Sequence, residues 1–114
     1  MNPLISMTGL LLAAATAASA AAPAGDPALA RGAHLAQRDC AGCHAVTSGE
    51  RSPNVSAPGF NELRVRFNPI SLERRLEVFP RHGHEGMPQP VMTPGDIADL
   101  VAYIQSLEPS TRQP

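Results

Sequence analysis

At 114 residues the chain has room for one domain and no second core. Its net charge of −1 argues against a nucleic-acid footprint or a polybasic membrane patch, and its nine basic residues are all Arg, so no lysine-ringed docking face exists. Three Phe, one Tyr and no Trp supply few large core side chains, while twelve Pro and nine Gly mark much of the chain as loop. A chain of this kind needs extra buried mass or a covalent staple.

The first twenty residues read as an export signal. Leu10-Leu11-Leu12 and Ala13–Ala18 form a moderately apolar stretch, and Ala18-Ser19-Ala20 gives the small-x-small cleavage pattern. No Lys or Arg precedes that stretch, and the alternative is an uncleaved anchor; the segment is Ala-rich and short for a membrane span. Cleavage predicts a mature domain over 21–114, helical over about 26–108, in an exported, periplasmic protein with no remaining span.

Asp26 followed by Pro27 predicts a capped helix that continues through Leu29, Gly32, Ala33 and Ala36 to about Arg38. Residues 45–59 carry Ser48-Gly49, Ser52-Pro53 and Ala57-Pro58-Gly59, which predict a loop. One or two helical turns follow over Phe60–Phe67, ended by Asn68-Pro69. Ser71 is the expected cap of a third helix through Leu72, Leu76 and Phe79, stopped by Pro80. The last helix is the clearest: Thr93 caps it, Pro94 takes the first position and Asp96 faces the helix dipole. Ile97, Leu100, Val101, Ile104 and Leu107 line one face, and Glu108-Pro109 ends it. No alternating strand pattern of useful length occurs, so the fold class is all-α.

Between the first helix and the loop stands Cys40-Ala41-Gly42-Cys43-His44. This spacing is the signature of covalent haem attachment: two thiols three residues apart reach the two vinyl groups of one porphyrin, and the next residue offers an imidazole to the iron. Three other readings are weaker. A disulfide here would close a strained four-residue ring, and a thioredoxin-like pair should follow a buried strand rather than the polar Gln37-Arg38-Asp39. Zinc would need further ligands with paired spacing, and the chain holds no other Cys.

With that motif, the segments Gly32–Val46 and Asp99–Ile104, together with Ala57-Pro58-Gly59-Phe60 and Met87-Pro88, resemble class I c-type cytochromes of the bacterial monohaem kind. The resemblance covers nearly all of the mature chain. It implies a small fold in which the N- and C-terminal helices cross beside one covalent haem c. It implies that Cys40 and Cys43 carry the thioethers, that His44 is the proximal ligand, and that the Pro58 carbonyl accepts a hydrogen bond from the His44 ring. Gly32 matches the glycine at the helix crossing, and Leu100 and Tyr103 match its packing pair. Ala36 stands where the family often has an aromatic.

The sixth iron ligand has four candidates in one loop: Met87, Met92, His82 and His84. The family pattern, a Met followed by Pro some residues before the capped last helix, points to Met87. Met92 directly precedes the Thr93 cap, where an apolar residue packs as a staple against Ile97. A histidine ligand or an open site is the remaining reading. His34 is expected to be an ordinary, partly exposed helix residue. Arg64, Arg66, Arg74 and Arg75 form a basic stretch, one member of which could meet a haem propionate.

The resemblance therefore implies an electron carrier rather than an enzyme, working between redox proteins as a monomer or as a small subunit. The alternatives are a haem c subunit of a periplasmic dehydrogenase or oxidase, and an open-site haem sensor or enzyme.

Overall fold

The computed structural model describes residues 25–82, 86–88 and 90–109, with only the backbone for 79–82. The expected export signal and His84 lie outside the described residues. Four helices follow in order: α1 (Pro27–Asp39), α2 (Phe60–Arg66), α3 (Pro69–His82) and α4 (Pro94–Ser106). Among the described residues there is no strand, as the all-α reading requires.

Local chemistry explains where each helix begins. Asp26 Oδ1 accepts from the Ala28 amide at 2.9 Å, with Pro27 in the first helical position, where its missing N–H has no bond to lose. At α4 the cap is reciprocal. Thr93 Oγ1 accepts from the Asp96 amide at 3.1 Å, and Asp96 Oδ2 accepts from the Thr93 amide at 2.8 Å. Truncation in T93A should cost about 1 kcal/mol, read by denaturant unfolding. The Thr93 hydrogen bonds also hold the Asp96 carboxyl below the usual carboxylate range. Their contribution is complete above that range and is lost as the pH falls below it, so T93A should flatten part of the acid limb of stability.

The third helix departs from expectation at both ends. Asn68, not Ser71, is the cap: its Oδ1 accepts from the Ser71 amide at 2.9 Å, and Ser71 Oγ donates to the Asn68 carbonyl at 3.0 Å. Asn68-Pro69 is a cap followed by Pro at the first position, the same device as Asp26-Pro27, so the pair opens α3 as well as closing the segment before it. Nor does Pro80 stop the helix, which runs to His82. Pro80 lies in the last turn, where the missing N–H removes one bond and only two residues follow.

α1 and α4 cross at Gly32, which is buried. A Cβ there would run into the Asp99 carbonyl and come within 2.7 Å of Tyr103 Cβ. Only a glycine allows the backbones to approach so closely. The crossing is marked on its solvent side by Arg31 and Asp99, paired through Nε–Oδ2 at 2.6 Å and Nη2–Oδ1 at 3.0 Å. Asp99 is held below the usual carboxylate range by that guanidinium. With Arg31 largely exposed, the pair adds little to stability.

The core draws on every element. Leu35 and Ala36 of α1 meet Ile97, Leu100, Val101 and Ile104 of α4, joined by Phe60 of α2, Leu72 and Leu76 of α3, and Val46 of the loop. Among the described residues, the buried set contains no polar or charged one. Two side chains stitch the loops to α4: Tyr103 donates its hydroxyl to the Val46 carbonyl at 2.7 Å, and Gln105 donates to the Phe67 carbonyl at 3.4 Å.

Candidate functional site

The turn that ends α1 presents the chemistry-bearing residues. The Cys40 amide caps the helix on the Ala36 carbonyl, and the Cys43 and His44 amides then donate back to the Cys40 carbonyl at 3.1 and 2.9 Å. One turn thus carries both sulfurs and the imidazole to the wall of a cavity of about 710 Å³. Its lining is largely apolar: Phe60, Leu63, Phe67, Leu72, Leu76, Leu100 and Ile104 come from α2, the turn after it, α3 and α4. Gly86, Met87, Pro88, Pro90 and Met92 supply the wall from the loop before α4. Both candidate methionines border the cavity, and Met92 also packs against the buried core that includes Ile97.

The orientation of His44 is fixed from two sides. Its Nδ1 lies 2.8 Å from the Pro58 carbonyl oxygen. A carbonyl can only accept, so Nδ1 carries a proton, and in the neutral ring that leaves the lone pair on Nε2. The ring also packs against Phe60, with centroids 5.7 Å apart and planes tilted by 49°. This is the arrangement of a neutral imidazole offering one nitrogen to a metal while the other is held by an outer partner.

The sulfurs bear on the alternatives. Neither cysteine forms a disulfide. Burial pushes the Cys40 thiol up to about 11, which is the reverse of the low value that a reactive redox thiolate requires. Among the described residues no group of three His, Cys, Asp or Glu side chains gathers to hold a metal ion, so the zinc reading has no donor set there. A haem fits what is present: two thiols, one preset imidazole, and an apolar space within the size range of small-molecule sites.

Of the arginines singled out, Arg66 and Arg75 border the cavity, whereas Arg64 and Arg74 do not. Arg38, which the sequence did not single out, borders it as well. Arg38 is paired with Asp39 at 2.7 Å and Arg66 with Glu62. The Arg75 guanidinium instead lies over the Phe67 ring, 4.5 Å from its centroid. Sequence reading missed this pair, because Phe67 ends one helix and Arg75 sits within the next. His34 is exposed, as expected for an ordinary helix residue.

A helical domain with a haem-attachment turn beside an apolar cavity defines a monohaem c-type cytochrome, and the family comparison agrees. The cytochrome c family model matches residues 29–108, so the chain belongs to the cytochrome c family. Among curated proteins it is similar to cytochrome c-552 of Bradyrhizobium diazoefficiens, with 33% identity over 100 residues, covering 88% of this chain and 89% of that protein. No solved structure gives a significant match. The family assignment carries the cofactor and the function class: covalent haem c and one-electron transfer. Members of the family are generally carriers rather than enzymes and work with redox partners. No described helix is long and apolar enough to cross a membrane.

Proposed function

We propose that the protein is an exported, periplasmic one-electron shuttle, with Cys40 and Cys43 in the thioethers and His44 and Met87 as axial iron ligands. The observation that carries this reading is the 2.8 Å pairing of His44 Nδ1 with the Pro58 carbonyl, in the wall of a cavity that also takes in Met87. Bound haem supplies a reversible one-electron iron couple. Each residue then has a distinct task. His44 donates through Nε2, and Pro58 sets its basicity by holding the other nitrogen. Met87 offers a soft thioether that favours the reduced state and fills the position a small ligand would need. Leu100 and Ile104, both almost fully buried, keep water off one wall of the cavity, which raises the potential further.

Arg75 is the residue best suited to receive a haem propionate. Among the described residues Arg38 and Arg66 already have carboxylate partners, whereas the Arg75 guanidinium lies over Phe67, and both line the cavity. Contact with a redox partner is expected to be small and transient, as electron-transfer encounters are.

Purified holoprotein tests the reading. It should elute as a monomer, titrate reversibly with one electron, and leave carbon monoxide unbound when reduced. Rapid carbon monoxide binding would overturn the six-coordinate carrier. Isolation only in fixed stoichiometry with a dehydrogenase or oxidase would overturn the free shuttle.

A further inference from the structure

The segment that carries His44 is held far more tightly than an ordinary loop. The Asn54 amide donates to the Cys43 carbonyl at 3.1 Å, the Phe60 amide donates to the Ala45 carbonyl at 2.8 Å, and the Tyr103 hydroxyl donates to the Val46 carbonyl. The Ala45 amide in turn donates to Ser52 Oγ at 2.9 Å. Ala45 is only 3% exposed, so water cannot readily replace that hydroxyl as acceptor.

We propose that Ser52 is a positioning residue for the iron ligand, acting through the Ala45 amide to fix the distance between His44 Nδ1 and the Pro58 carbonyl. The inference rests on the reading of His44 as the proximal ligand. Ala45 follows His44 directly, and Ser52 and Pro58 belong to one loop. The Ser52 bond therefore ties the loop that bears the acceptor to the ligand-bearing turn. Pro53 restricts Ser52 to extended backbone, so the hydroxyl is presented with little freedom. Every other hydrogen bond named here involves a carbonyl acceptor, and Ser52 alone brings a side chain to the residue beside the ligand.

The sign of the effect follows from ligand basicity. Without the hydroxyl, the loop that bears Pro58 keeps the Asn54 and Phe60 amide bonds to the His44 turn but loses the Ser52 tie, and the Nδ1–H···O bond lengthens. The imidazole then becomes a poorer donor, which stabilises the oxidised iron less. The carbonyl itself remains, so the change should be smaller than the roughly 10- to 100-fold effects of removing an outer partner outright.

In S52A holoprotein, the reduced-to-oxidised ratio at fixed applied potential should rise by about threefold, and the His44 Nδ1–H proton resonance should move upfield. S52T, which keeps the oxygen, should restore both. S48A, on the same loop but exposed and outside the cavity wall, should move neither. If S52A does not accumulate as holoprotein, S52C gives the same test, since sulfur is a weaker acceptor and should shift both signals in the same direction. A loss of thermal stability in S52A with unchanged potential and unchanged resonance would overturn the proposal, as would an equal shift in S48A. Wild-type holoprotein lacking any hydrogen-bonded His ligand resonance would instead overturn the reading of His44 on which it rests.

Discussion

Met87→Ala holoprotein should lose the weak long-wavelength band of sulfur bonded to oxidised iron, gain rapid carbon monoxide binding when reduced, and fall in potential. The drop should be on the order of 0.1–0.2 V, part of the roughly 0.8 V that axial ligands span in haem proteins. The direction follows from hard and soft donors. A thioether favours the reduced state, and the water or hydroxide that would replace it favours the oxidised state. Met92→Ala is the decisive comparison, because Met92 also borders the cavity. It packs against the core cluster, so its truncation should lower stability by about 2–5 kcal/mol at most while the band survives. Loss of the band in Met92→Ala and its survival in Met87→Ala would exchange the two assignments.

Gly32→Ala should be the most damaging single methyl group that can be added to the described fold. Two effects oppose each other. Alanine improves helix propensity by about 1 kcal/mol over glycine. Overpacking at the crossing costs about 3 kcal/mol, the upper end for buried insertions, because the new Cβ meets the Asp99 carbonyl. Backbone cannot swing aside as the tip of a side chain can. The net loss of about 2 kcal/mol corresponds to a fall of about 8–16 °C in melting temperature for a domain of this size. A melt of the holoprotein checks it, and an unchanged or raised midpoint would show that the helices separate freely. Because Leu100 and Ile104 belong to the displaced helix and line the cavity, the potential should fall in the same variant as water gains access.

The ends of the chain's helical body were readable from sequence because their signals are local. Asp26-Pro27 and Thr93-Pro94 each place a cap and a proline side by side, and α1 and α4 begin where those pairs stand. Asn68-Pro69 is the same signal, yet it was read as an ending because Phe60–Phe67 precedes it. A proline after an asparagine closes one segment and opens the next with equal ease, and only the tertiary packing of Leu72 and Leu76 decides that α3 follows at once. The haem-attachment turn was legible because its five residues are contiguous. The pairing of His44 with Pro58 was not legible from pattern alone. It spans 14 residues of loop without periodicity, and only the family resemblance suggested it. Ser52 and the Phe67–Arg75 pair left no sequence signal, since a Ser-Pro step reads as a turn and the two ring partners belong to separate elements.

The crossing of α1 with α4 also orders events during biosynthesis. Arg31 and Asp99, which mark it, lie 68 residues apart, so the entropy of closing that loop is spent before any contact at the crossing forms. Translation runs from the N-terminus, and the attachment turn is made long before the helix that completes its cavity. Until α4 arrives, the core cluster that takes in Cys40 lacks Ile97, Leu100, Val101 and Ile104. After closure Cys40 is 9% exposed and its thiol is held protonated by burial. The burial of Cys40 thus depends in part on the last helix to be made.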